Sequence, residues 1–302
     1  MREYKIMQFT DCHLDDGTAE AGLEQIAALW EHANADLAVF TGDVVFGKND
    51  LVFYDRLDEF FRSRNAPFAV VLGNHEGEAN STDRRGIMEK CASLGNCITE
   101  VNPIGKRYGN YIYDTPFDGV SLAMLDSGDY APWYEKLRHP LRSKYAAVTK
   151  EQISWYVNAV KDKKAIFVFL HIPVPEYERA YYGALARGEV KYGALRENIA
   201  SDGSLKRVSD VVCSSAVNTG FFESARSIGN LKAIFCGHDH LNDYYVEYKG
   251  VGLVYGQKTV GFEGSGYAFD GRGFPDYTGA TLVTVYENGD FTPRQIYYKD
   301  IR

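Results

Sequence analysis

Residues 68–78 read FAVVLGNHEGE, and the fold turns on how they are read. An apolar run stops at Gly73, and an amide, an imidazole and a carboxylate follow at once: Asn74, His75 and Glu76. A continuous apolar run without alternation suits a strand covered on both faces. Polar groups massed just past its carboxyl end are what an open α/β sheet uses to build a site. Taken alone, such a segment is usually only a turn, so the pattern carries chemistry only if it recurs.

It recurs along the chain. YKIMQFT (4–10) is followed by Asp11 and His13, and ADLAVFTG (35–42) by Asp43. AIFVFL (165–170) is followed by His171, and LKAIFCG (231–237) by His238 and His240. The chain has only 7 histidines, and all but His32 and His139 stand at these ends. Those two read as ordinary surface residues. Asp11 and His13, like His238 and His240, are two positions apart, and in extended backbone such residues point to one side. Cys12 then faces away and reads as a small thiol packed under the site. Gly42, Gly73 and Gly237 are read as the points where the backbone turns sharply as each strand ends.

Asp11, Asp43 and Asn74 offer oxygen, and His13, His171, His238 and His240 offer nitrogen. That is too many ligands for one tetrahedral zinc site. The set suits two metal ions sharing a carboxylate, and mixed nitrogen and oxygen ligation without thiolate favours zinc, manganese or iron.

Between the apolar runs, residues 19–34, 50–63 and 149–162 place apolar side chains at helical spacing, the latter two with Asp50 and Thr149 as caps. The first half is therefore βαβ-like. In the last 60 or so residues DYYVEYKG, GLVYG, ATLVTVYENG and TPRQIYYK read as short antiparallel strands with glycine turns. The expectation is a mixed sheet system with helices outside, in a single domain over residues 1–302.

Composition narrows the class. The 302 residues are 45% hydrophobic and 25% charged, an ordinary globular balance. The net charge of −8 argues against a nucleic-acid partner, whose binding is driven by Lys and Arg. The 5 cysteines form no CxxC pair and read as reduced thiols. No apolar run reaches the length of a membrane span, and residues 1–11 enter a strand-like run without a signal-peptide pattern. The expected location is the cytoplasm, with no membrane partner.

The order D-x-H, G-D, G-N-H-E, H, G-H-x-H, from Asp11 to His240, resembles the calcineurin-like metallophosphoesterase superfamily. LDSGDY (125–130), HIPVPE (171–176), VNTGFF (217–222), GHDHLNDYY (237–245) and GSGY (264–267) are similar to the branch of purple-acid-phosphatase-like enzymes and yeast Dcr-type phosphatases. The resemblance implies an α+β fold, a four-layer α/β/β/α sandwich with two mixed sheets. It also implies residue roles. Asp11, His13, Asp43 and His240 would hold one metal, and Asp43, Asn74, His171 and His238 the other. Asp43 would bridge, and His75 would face the leaving group as general acid. Two departures matter. Val44 stands where purple acid phosphatases carry their tyrosine ligand and His13 where they carry glycine, so no purple tyrosinate–iron centre is expected. In GDVVFG (42–47), Phe46 and Gly47 stand where protein serine/threonine phosphatases carry aspartate and arginine.

The function expected on this resemblance is a metal-dependent phosphohydrolase acting on a small phosphorylated substrate, in particular phosphate monoesters. Two cations about 3.5–4 Å apart would lower the pKa of a bridging water, and the hydroxide would attack in line while His75 protonates the leaving oxygen. A phosphodiesterase acting on nucleotides or other diesters is the alternative, and a noncatalytic scaffold of the same fold is a third reading. Glu76 is expected to orient the Asn74–His75 corner from behind. Asp239 and Asp243 are candidate acceptors for the histidines, or else solvated carboxylates. Asn218 and Arg272 are candidate substrate contacts, with Arg84 and Arg85 further ones or helix caps.

Overall fold

The computed structural model describes residues 1–48, 50–78, 80–138, 144–195, 212–261 and 277–301. In chain order the elements are β1 (Glu3–Phe9), α1 (Ala19–Ala33), β2 (Leu37–Thr41), α2 (Asp50–Ser63), β3 (Phe68–Val71) and α3 (Arg84–Ser93). Then come β4 (Tyr111–Asp114), β5 (Val120–Met124), α4 (Trp133–Arg138), α5 (Lys150–Val160), β6 (Ala165–Phe169) and α6 (Glu176–Arg187). The chain closes with α7 (Phe221–Ser227), β7 (Leu231–Cys236), β8 (Tyr245–Tyr248), β9 (Val251–Tyr255), β10 (Gly279–Tyr286) and β11 (Phe291–Tyr297).

The strands form two mixed sheets, ordered β11-β10-β1-β2-β3 and β4-β5-β6-β7-β9-β8. β1, β2 and β3 run parallel, as do β5, β6, β7 and β9. The C-terminal segments pair antiparallel as expected, β8 with β9 and β10 with β11. Alternation then sorts the second sheet's side chains between two cores. Leu122, Phe167, Phe169, Ala233 and Phe235 face the first sheet and its helices α1, α2 and α3. Ala123, Ile166, Val168, Ile234 and Leu253 face α5, α6 and α7. Helices, sheet, sheet and helices are the four layers of the expected α/β/β/α sandwich. With both faces of the central strands buried, their sequences read as continuous apolar runs.

The three helices that the sequence placed, α1, α2 and α5, begin within a residue of the expected positions, but one of the two caps differs, and α3, α4, α6 and α7 were not foreseen. Thr149 caps α5 through a capping box with Gln152. The Asp50 carboxylate instead accepts from the Ser81 hydroxyl at 2.8 Å and the Thr82 amide at 3.1 Å, tying α2 to the segment before α3. β4 and β5, which no apolar pattern brought out, complete one edge of the second sheet. Among the described residues no helix is long and apolar enough to cross a membrane.

Candidate metal centre

The ends of β1, β2, β3, β6 and β7 converge, and every residue singled out there comes together. Two groups form. In the first, His240 Nε2 lies 3.2 Å from His13 Nε2 and 3.5 Å from Asp11 Oδ1. In the second, His171 Nε2 lies 3.0 Å from Asp43 Oδ2, 3.1 Å from Asn74 Oδ1 and 3.2 Å from His238 Nδ1. Asp43 Oδ2 is also 3.9 Å from His13 Nε2 and 4.0 Å from His75 Nε2, so one oxygen stands between the groups.

The route to this convergence corrects the extended-backbone reading. β1 has ended before Asp11, and Asp11, His13 and Asp43 take left-handed φ values of 52°, 47° and 51°, with His238 at 86°. Such conformations in non-glycine residues store strain and collect at functional sites. The loops are held in them by bonds from the Asp11 amide to the Gly42 carbonyl and from the His13 amide to the Asp43 carbonyl. The glycines divide as well. Gly42 turns the chain with φ 88°, whereas Gly73 and Gly237 have no positive φ. They are required by close approach: a Cβ would meet Asp43 Oδ1 at 2.1 Å or Thr10 Oγ1 at 1.9 Å.

Each carboxylate splits its work. Asp11 Oδ2 accepts from the His238 amide at 2.9 Å and lies 2.7 Å from the Thr10 hydroxyl, which stitches the two sheets together at the site. Asp43 Oδ1 accepts from the His75 amide at 2.8 Å. Asp11 Oδ1 and Asp43 Oδ2 are left for the cavity. Asp11 Oδ1 and His238 Nε2 are buried with no hydrogen-bond partner.

This donor set fits divalent cations. His171 Nδ1 lies 2.8 Å from the Thr41 carbonyl, which can only accept, so Nδ1 carries the proton and Nε2 offers a lone pair. That lone pair faces a carboxylate oxygen and an amide oxygen, an arrangement that calls for positive charge between them. Protonation responds to the same deficit. Burial lowers His171, but the charges of Asp43 and Asp11 override it and push the ring up to about 10. Asp43 is raised by burial, yet His171, His13 and His75 hold it well below the usual carboxylate range. Burial depresses His13, His238 and His240, keeping them in the neutral form that binds metal.

Glu76 is buried and serves as a clamp. Its Oε2 accepts from the Gly73 amide at 2.6 Å and the Asp43 amide at 3.0 Å, and its Oε1 from the Val44 amide at 2.6 Å. Burial and the Asp43 charge push its carboxyl up to about 7, and the amides favour the anion. Glu76→Ala leaves three buried N–H groups without acceptors, each costing ~1–3 kcal/mol, so the expected loss of stability is at least about 3 kcal/mol. Urea unfolding checks this, and an unchanged midpoint would remove Glu76 from the role.

Several residues about the centre escaped the sequence. Glu78 Oε2 bonds His75 Nδ1 and accepts from the Tyr130 hydroxyl at 3.1 Å. Its signal was a carboxylate three positions after His75 in the same turn. Phe46 packs edge-on against His75 and His13, with ring centres 5.4 and 5.9 Å away. The Tyr145 ring is 4.2 Å from that of His238. Lys258, fully buried, donates to the Asp11 carbonyl, and burial pulls its amine down to about 8. Nothing in GQKTVG (256–261) marked it.

The remaining candidates lie as follows. Asp239 accepts from the Tyr255 hydroxyl and the Cys213 amide, and Asp243 from the Tyr297 hydroxyl and the Ala194 amide. Asn218 donates to Glu176 at 2.7 Å and accepts from the Gly220 amide, next to α7. Arg84 bonds Asp126 and the Gly73 carbonyl, bracing the loop that carries Asn74, and Arg85 bonds Glu89. The Cys12 thiol is pushed up to about 12 by burial. Arg272, His139 and the GSGY segment at 264–267 lie outside the described residues.

Comparison with known proteins gives the family and the fold. The family model for calcineurin-like phosphoesterases matches residues 4–242. An Arabidopsis thaliana protein named "Probable inactive purple acid phosphatase 14" is 29% identical over 76% of this chain and 60% of its own length. The Saccharomyces cerevisiae protein named "Phosphatase DCR2" is 26% identical over 80% of this chain and 45% of its own. The chain thus spans about half the length of these relatives, which represent both kinds of phosphatase that the motifs resemble. Among solved structures, a dimetal phosphatase from Danio rerio aligns with TM-score 0.63 at 14% identity, covering 98% of this chain and 96% of that one. At that identity the likeness concerns the fold alone.

Proposed function

The chain belongs to the calcineurin-like phosphoesterase family, and from that premise we propose that it is a dinuclear metal-dependent phosphatase that hydrolyses phosphate monoesters, with His75 as general acid. The observation that carries this reading is Asp43 Oδ2, placed between the two ligand groups with His75 Nε2 4.0 Å away. Asp11, His13, Asp43 and His240 would hold one cation, and Asp43, Asn74, His171 and His238 the other. Two divalent cations there would supply Lewis-acid stabilisation of the phosphoryl oxygens and a hydroxide nucleophile near neutral pH. The other tasks fall to the chain itself. Asp43 Oδ1, by accepting from the His75 amide, fixes the backbone that carries the acid. Glu78 takes the Nδ1 proton of His75 in a hydrogen bond, which leaves Nε2 as the atom that delivers a proton to the leaving oxygen. Phe46 and Tyr145 wall the ligand groups and limit water.

A small phosphorylated substrate suits the net charge of −8 better than a nucleic acid does. The same centre would serve diester cleavage. Metal-free protein reloaded with manganese is therefore assayed on p-nitrophenyl phosphate and bis-p-nitrophenyl phosphate. Faster turnover of the monoester is expected. Preference for the diester replaces this reading with a phosphodiesterase, and no turnover of either by metal-loaded protein leaves a binding scaffold.

A further inference from the structure

Beside the ligand groups lies a cleft of about 450 Å³, lined among others by Asn74, Glu78, Arg107, Asp129 and Tyr130. The Arg107 side chain is only 14% exposed. Its guanidinium lies flat against Gly128, where an added Cβ would come within 2.2 Å of the guanidinium carbon. The backbone beneath it is fixed by paired bonds with Ile104, at 2.8 and 3.1 Å, and by the Asn110 side-chain amide on the Arg107 carbonyl.

What distinguishes Arg107 is how weakly its donors are engaged. Among the described residues its side chain makes no hydrogen bond. Nε is buried without a partner, and the nearest carboxylate, Asp129 Oδ1, stands 3.9 Å from Nη1. Its charged neighbours are committed: Arg84 to Asp126, Arg85 to Glu89, Asp83 to the Gly86 amide and Glu78 to His75. Lys106 adds an exposed cation at the mouth. A guanidinium carries its donors in a rigid fork that matches the two oxygens of an oxyanion. With Nε buried and unpaired, and Asp129 too far for a hydrogen bond, the outer nitrogens of the fork are left for an oxyanion that enters the cleft.

The geometry points to Arg107 as the receptor for a second anionic group on the substrate: the substrate is a phosphomonoester whose leaving portion carries a further oxyanion, a phosphate or a carboxylate. Its first phosphate lies at the ligand groups, and the second group reaches along the cleft to the Arg107 fork. This rests on the phosphoesterase reading for the position of the first phosphate.

Non-hydrolysable probes test it by calorimetry on manganese-loaded protein. They are α,ω-alkane bisphosphonates and ω-carboxyalkyl phosphonates with spacers from propane to hexane, each compared with the matching alkyl monophosphonate. At one spacer length the doubly anionic probe is expected to bind about 10- to 100-fold tighter, the scale of a charge-assisted bond. Which series shows the gain tells phosphate from carboxylate. Arg107→Gln is expected to bring the ratio to within about twofold. If that variant does not fold, Arg107→Lys keeps the packed stem and the charge but loses the fork, and the ratio is expected to fall by about 3- to 10-fold. A ratio near one in the unaltered protein, or one that survives the substitution, overturns the inference. Turnover of p-nitrophenyl phosphate by the same preparations separates the two readings. Selection without turnover sinks the phosphatase and keeps the subsite, while turnover without selection does the reverse.

Discussion

Asp43→Asn is expected to abolish turnover and to empty both cation sites together. The substitution keeps the shape of the side chain, and its oxygen can still accept from the His75 amide, so the fold is expected to survive. What it removes is the negative charge on the oxygen 3.0 Å from His171 Nε2 and 3.9 Å from His13 Nε2. Each group would lose its shared anion, and the first would keep one carboxylate, Asp11, and the second none. Removing a single electrostatic group from a reacting centre costs roughly 10²- to 10³-fold, and a shared ligand costs at least that. Elemental analysis after dialysis reads the metal, and a phosphate-release assay reads the turnover. A variant that keeps two tight metals and normal turnover would remove Asp43 from the bridge.

His75→Asn is expected to leave the metal content intact and to slow turnover by about 10²- to 10⁴-fold, the usual worth of general acid–base catalysis. The ring stands 4.0 Å from Asp43 Oδ2, next to the ligand groups but outside both, so the metals do not depend on it. Its Nδ1 is engaged by Glu78, which leaves Nε2 as the working atom. The loss is therefore expected to depend on the leaving group: large for an alkyl phosphate, whose alkoxide needs a proton, and small for a nitrophenyl ester. Equal losses on both substrates would deny His75 the role of acid.

These expectations draw on the sequence unevenly. The strand-end ligands were legible because doubly buried strands must be continuously apolar, and a polar residue that interrupts such a run stands out. The i, i+2 spacing of Asp11 and His13 picked out two residues that do come together, but for the wrong reason, since left-handed turns aim them and not strand alternation. Glu76 was visible as a neighbour of His75, but not as the acceptor that joins the loops after β2 and β3. Glu78, at the surface end of the same turn, looked like any solvated carboxylate.

By itself the sequence determined which residue types end which strands, and so the chemistry available: oxygen and imidazole ligands, a histidine beside them, no thiolate among them. That information is local, written in burial patterns and nearest neighbours. The division of these residues into two groups, with His238 and His240 in different ones, was implied by the family resemblance and not by spacing; only the tertiary structure decided the distances within each group and that Asp43 lends one oxygen to the backbone and one to the cavity. It alone laid Arg107 against Gly128 beside the centre, with Nε unpaired and only a long ion pair to Asp129. These are distances between atoms far apart in the chain. They are fixed when two sheets pack face to face and bring their strand ends to one edge, and no run of neighbouring residues records them.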